Sequence, residues 1–152
     1  MAVTFYNDFK TELMNGTFDF TNDTVRVALL DNGTSYTPDP DAETFVDDVL
    51  DGGTTAQEFT GSGYSRQTLA NVSVSADDTD DEGVFDADDT TFSSIDGATI
   101  QSALISRQEG GDDTTPGNDR LVGHYTSSDF PLTANGGDVT LQWNSEGIIN
   151  VG

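Results

Sequence analysis

The sequence predicts a mainly β chain: an antiparallel β-sandwich, jelly-roll or immunoglobulin-like, with an N-terminal amphipathic helix and a short second helix. Three observations predict it. Helical spacing of apolar residues is confined to the first third of the chain. Beyond it, apolar and polar residues alternate in short runs, the period of a strand. Turn residues interrupt those runs every 8–12 residues or so, as in sandwiches and barrels. A chain of 152 residues fits one domain spanning 1–152, and folding buries about 70% of the surface of an unfolded chain this long.

The first helix is predicted over 5–15. Phe5, Phe9 and Leu13 recur every four residues, Thr4 can cap the start, and Gly16 can take the left-handed closing position. Tyr6 and Met14 widen the apolar stripe. Thr24 to Leu30 is the clearest strand, with Val25, Val27 and Leu29 on one face and Arg26, Ala28 and Leu30 on the other. Asp31-Asn32-Gly33 breaks it. Pro38 and Pro40 stiffen an extended connector. A second helix follows, with Asp39 as cap, Pro40 in its first turn, and Phe45, Val46, Val49 and Leu50 on one face. Asp51-Gly52-Gly53 ends it. Further strands are predicted over 56–60, 65–75, 83–86, 98–107, 120–126, 138–143 and 147–151, with a tight turn or bulge at Gly61-Ser62-Gly63. Two acidic stretches, 77–82 and 109–119, read as loops projecting into solvent.

Twenty-eight acidic residues stand against five basic ones, for a net charge of −23. Nucleic-acid binding requires a basic stripe, and Lys10, Arg26, Arg66, Arg107 and Arg120 are scattered. No apolar run approaches the roughly 20 residues of a membrane helix, and no signal peptide is read at the N-terminus. Cysteine is absent, which excludes disulfides and thiolate sites. Clustered, strongly hydrated Asp with one Lys points to a surface adapted to concentrated salt, where the screening length falls to roughly 3 Å at 1 M.

One spacing points to a metal. Asp78, Asp80, Glu82, Gly83, Asp86 and Asp89 fall at positions 1, 3, 5, 6, 9 and 12 of a calcium loop, so the ligand would be calcium or another cation held by Asp78, Asp80, Glu82, Asp86 and Asp89. Both flanks read as strands rather than helices, and position 12 is Asp instead of Glu. The competing reading is a solvated acidic turn. His124 lies in an alternating strand, and no nucleophile elbow accompanies it, so it reads as a strand residue. Carboxylate pairs carry no signal in so acidic a chain, and Trp143 sits at a core spacing. No phosphate loop, dinucleotide fingerprint or other cofactor motif occurs.

Several stretches in order resemble a family of small virion structural proteins of tailed bacteriophages and haloarchaeal tailed viruses. They are Tyr6-Asn7-Asp8-Phe9-Lys10 with Leu13-Met14-Asn15-Gly16, then Asp23 to Leu30, Tyr36-Thr37-Pro38, Gly61-Ser62-Gly63-Tyr64 and Leu69-Ala70-Asn71. Val84-Phe85-Asp86-Ala87-Asp88-Asp89-Thr90-Thr91-Phe92 is the most distinctive, and Leu141-Gln142-Trp143-Asn144 with Gly147-Ile148 closes the series. The resemblance implies a non-enzymatic virion component, assembled in the host cytoplasm, and the leading reading is a capsid decoration or turret protein of a haloarchaeal tailed virus. It also admits a neck, tail or tail-fibre component. A halophilic carbohydrate-binding or carbohydrate-active domain is the reading from another class. Expected partners are further copies of the chain, other virion proteins such as the major capsid protein, and the host cell surface, with neither nucleic acid nor membrane. Phe5, Phe9 and Leu13 are the interface candidates, the alternative being that their helix caps its own domain.

Overall fold

Alternation within 25–30 puts Val25, Val27 and Leu29 on one side of a strand and Ala28 and Leu30 on the other, and all five are buried. Such a strand must be covered on both faces. The computed structural model, which describes residues 2–31, 36–51 and 54–152, shows how. β1 (Ala2–Phe5), α1 (Asn7–Asn15) and β2 (Val25–Leu30) open the chain, followed by α2 (Val46–Leu50) and the two-residue β3 (Gln67–Thr68). Nine strands follow: β4 (Ser73–Asp77), β5 (Glu82–Asp86), β6 (Thr90–Phe92), β7 (Asp96–Ile100), β8 (Ser102–Arg107), β9 (Arg120–Thr126), β10 (Leu132–Asn135), β11 (Val139–Leu141) and β12 (Ile149–Val151).

Every pairing between these strands is antiparallel. A central sheet runs β1-β9-β8-β2-β3, and the smaller sheets are β12-β5-β4, β11-β6 and β10-β7. One face of the central sheet, with Val27, Ile105 and Tyr125, shares a core with Phe85, Phe92, Ile100, Leu141 and Ile149 from the smaller sheets and with Phe9 of α1. The other face, with Ala28, Leu30 and Leu104, packs on Tyr6, Tyr36, Val46, Val49 and Ala56.

The first helix begins later than its spacing suggests. Phe5 lies in β1, paired with Gly123, and the chain turns through extended Tyr6 before α1 starts at Asn7. Phe5 and Phe9 still meet, ring centroids 5.7 Å apart, because a strand residue and the first helical turn converge across that corner. Thr4 is therefore no cap. Gly16 closes the helix at φ 66, its N–H bonded to the Leu13 carbonyl. The second helix is also shorter. The Asp39 carbonyl receives the N–H groups of Ala42 and Glu43 in a turn, and α2 starts at Val46. Its N-terminus is closed by Asp48, whose carboxylate accepts the N–H of Thr44 and of Phe45. Gly52 and Gly53, expected to end it, lie outside the described residues.

Two predicted strands each divide between sheets. The 98–107 run changes sheet at Gln101, whose N–H bonds the Leu30 carbonyl, leaving β7 with β10 and β8 with β2. The 65–75 run splits into β3 and β4 where Asn71 turns to φ 53. The 56–60 segment touches β2 through a single bridge, Leu30 to Glu58, and forms no strand. Gly61 is required beside it, since a Cβ there would lie 2.2 Å from the Asp96 carbonyl oxygen. β1, β6 and β10 were not legible as strands. The 77–82 stretch closes the β4–β5 hairpin, with 78–81 as its exposed turn and Asp77 and Glu82 as the paired strand ends.

The 109–119 stretch is a loop, exposed over most of 110–118 as expected, but its last residue is not. Asp119 is fully buried, its carboxylate accepts the N–H of Glu109, and its carbonyl accepts the N–H of Val46. The segment thus fastens α2 to the central sheet.

Phe9→Ala should cost about 3–5 kcal/mol, the range for emptying a buried aromatic site, while Met14→Ala on the exposed side of α1 should change stability by less than about 0.5 kcal/mol. Urea titrations of both variants check this; equal, small effects would mean that Phe9 is not part of the chain's own core.

Candidate functional site

Arginine organises the interior of this acidic chain. The β8–β9 register sets Arg107 directly opposite Arg120, a repulsive pair across two strands. Glu12 of α1 resolves it. One of its carboxylate oxygens lies 3.4 Å from each guanidinium. Arg107 also reaches Glu109 at 2.7 Å and Asp23 at 3.7 Å and lies over the Phe18 ring, while Arg120 faces Asp8 at 3.5 Å and lies over Phe45.

A second cluster sits beside β3. Arg66 donates two parallel hydrogen bonds of 2.8 Å to Glu58, the planar fork geometry that arginine offers a carboxylate. Its third nitrogen lies 3.6 Å from the buried Asp119 and 3.9 Å from Asp113, which Arg26 engages from the other side. Burial alone would lower the Arg66 pKa, but the Glu58 hydrogen bonds and the charges of Glu58 and Asp113 turn the shift upward. Burial pushes the Asp119 carboxyl up, against the Glu109 N–H and Arg66, which pull it down.

Under the second face of the central sheet, Tyr6 donates to Tyr36, and Tyr36 donates to Glu43, which also accepts the N–H of Asp39. Burial, then the Glu43 hydrogen bond, raises the Tyr36 pKa far above its ordinary value. His124 stands edge-on to Tyr36 at 5.0 Å, is 4% exposed, and has no hydrogen-bond partner at Nε2. Desolvation pushes its pKa down to about 4. Tyr6, Tyr36, Glu43 and His124 are all shut away from solvent, so this group specifies packing and offers no surface to a substrate.

The surface chemistry gathers on the β12-β5-β4 sheet. Its register puts Val74, Phe85 and Ile149 in one row, and Ala76, Gly83 and Val151 in the next row of the same face. Phe20 stacks on Phe85 with centroids 4.3 Å apart. Leu13, Phe20, Val74, Phe85, Ile149 and Val151 then line an open apolar groove of about 260 Å³. Val74 and Val151 are each 56% exposed. Among the interface candidates, Leu13 alone lines the groove; Phe9 is in the core and Phe5 pairs within the central sheet.

The opposite face is polar. Of the calcium-loop residues, Asp78 and Asp80 lie in the hairpin turn while Glu82 and Asp86 lie along β5. Four residues of extended strand separate Glu82 from Asp86 by roughly 13 Å, whereas calcium ligands converge within about 2.6 Å of one point. Glu82 instead accepts a hydrogen bond from Asn150, and Asp89 accepts the N–H of Trp143. The five are not brought around one ion. Among the described residues the carboxylates that do approach, within 4.8 Å, are those of Asp77, Asp80 and Glu146. One oxygen of Asp77 is already taken by the N–H groups of Thr79 and Asp80.

Sequence reasoning missed Phe20, Val74 and Val151 as groove residues. The available signal was in 67–76, ten residues without charge, proline or glycine that end in the alternating Ser-Val-Ser-Ala. Comparison with family models, with curated proteins and with solved structures finds no match to this chain.

The His124 shift fixes a pH dependence. Its contribution to stability is complete above the ordinary value of 6.5 and is lost as pH falls toward about 4, because the unfolded chain then binds a proton that the fold excludes; the drop is worth on the order of 3 kcal/mol. Denaturation of wild type and His124→Leu between pH 7 and 4 should show a shallower decline in the variant. Parallel curves would contradict the assignment. Arg66→Met, which strands Asp119, should cost about 3–5 kcal/mol; a loss under about 1 kcal/mol by the same measurement would mean that the cluster is not structural.

Proposed function

We propose that this chain is a non-enzymatic structural component of a tailed-virus particle, a capsid decoration or turret protein of a haloarchaeal virus that works by assembling with its own copies and with other virion proteins such as the major capsid protein. On this reading the central sheet and the smaller sheets are the two layers of a β-sandwich. The observation that carries the reading is an apolar groove beside a strand edge that no strand pairs among the described residues, on a molecule of net charge −23. An open apolar groove gives a partner chain a place to bury side chains, and symmetric association is the usual form of self-assembly. The family resemblance along 6–148 supports the virion setting. The acidic skin supports a salt-rich one, where charged surfaces approach without strong repulsion.

Densitometry of purified particles against the major capsid protein tests the position. A decoration or turret protein should be present in roughly tens to hundreds of copies, as symmetric shells require; about a dozen or fewer would place it at the neck or tail instead. The salt reading predicts that the melting temperature climbs steeply between about 0.1 and 3 M sodium chloride as surface repulsion is screened. A flat profile in differential scanning calorimetry would contradict it.

A further inference from the structure

β4 is the outer strand of its sheet, and among the described residues no strand pairs with its free edge. Ser73, Val74, Ser75 and Ala76 are all exposed. The strand carries no lysine, proline or bulge, and its one charge, Asp77, stands at its end. Its unpaired N–H and C=O groups therefore form a template for another strand. The apolar groove opens on the same sheet, with Val74 contributing to both.

We infer that the occupant of this edge is β4 of a second copy, paired antiparallel about a two-fold axis through Ser75; the inference rests on the self-assembly reading above and names its surface. The strand is self-complementary in that register. Val74 faces Ala76 twice on the apolar face, Ser75 meets its counterpart, and the Ser73 hydroxyl of each copy stands opposite the Asp77 carboxylate of the other. Charge selects the same arrangement. The turn at 77–82 carries five acids, and none of the ion pairs among the described residues engages them. Parallel pairing would set the two turns side by side. The antiparallel two-fold sends them to opposite ends of the strand pair, about 14 Å apart along a four-residue span, beyond the Debye length of about 8 Å at 0.15 M salt. The six-stranded sheet that results presents one continuous apolar face, and the residual repulsion makes the pairing stronger as salt rises.

The chain has no cysteine, so a single introduced thiol reports the contact. Antiparallel partners have Cα atoms about 4.5–5.5 Å apart, within reach of a disulfide. Ser75→Cys should form a covalent dimer on mild oxidation, faster in concentrated salt, while Ser128→Cys in an exposed turn should stay largely monomeric. Sedimentation of wild type should show a dimer that grows with salt, and Val74→Lys, an exposed change that leaves the fold intact by circular dichroism, should lower the dimer fraction at least tenfold. If wild type self-associates but Ser75→Cys cross-links no faster than Ser128→Cys, or Val74→Lys changes nothing, the edge is wrong and self-assembly stands. A wild type that sediments as a monomer at every salt concentration overturns both.

Discussion

Glu12 between Arg107 and Arg120 is the contact on which much of this architecture depends. Two like charges face each other across β8 and β9, at the end of the sheet where α1 must lie. Without a carboxylate between them that register would be penalised; with Glu12 present it fastens the helix to the strands. The Arg66 cluster does the same for the opposite side, tying Glu58, Asp113 and Asp119 to β3 and, through the Asp119 backbone, to α2. The chain has only five basic residues, and all four arginines are engaged by its own carboxylates, Arg120 while still a third exposed, so little positive charge is left to offset the exposed acids. The internal and external electrostatics are therefore one design. Buried pairs are weakly screened and hold at any salt, while the exposed carboxylates repel unless salt is present.

Local pattern made part of this legible. β2 and β9 were readable because alternation over six or seven residues has one strand solution, and Gly16 because a left-handed closing residue leaves a chemical mark. β1 was not readable, since Phe5, Phe9 and Leu13 satisfy helical spacing and the partner that makes 2–5 a strand lies about 120 residues away in β9. The sheet change at Gln101 was hidden for the same reason: 98–107 is uniformly strand-like, and only the positions of β10 and β2 decide where it divides. Asp119 was misread because a run of Asp, Gly and Thr looks solvated. Its burial follows from Arg66, a partner that no local pattern announces. The calcium-loop spacing failed differently. It matched a template in one dimension, but β5 is extended, and extended backbone cannot wrap an ion.

The groove stands outside this electrostatic scheme and gains meaning from it. On a surface that hydrates carboxylates nearly everywhere, a strand of small uncharged residues beside Val74 and Val151 is where another polypeptide can approach at least cost. β4 is exposed along most of its length, while β2, β8 and β9 of the central sheet are buried on both faces. A clamped interior and an open edge are thus separated within one fold, the arrangement that the proposed assembly role requires.

Native-state hydrogen exchange on Arg107→Leu tests most directly whether arginine clamps, rather than apolar packing alone, hold the covering elements in place. The account predicts that amides of α1 exchange much faster than in wild type while those of β2, β8 and β9 keep their protection. Unchanged protection throughout α1 would contradict it.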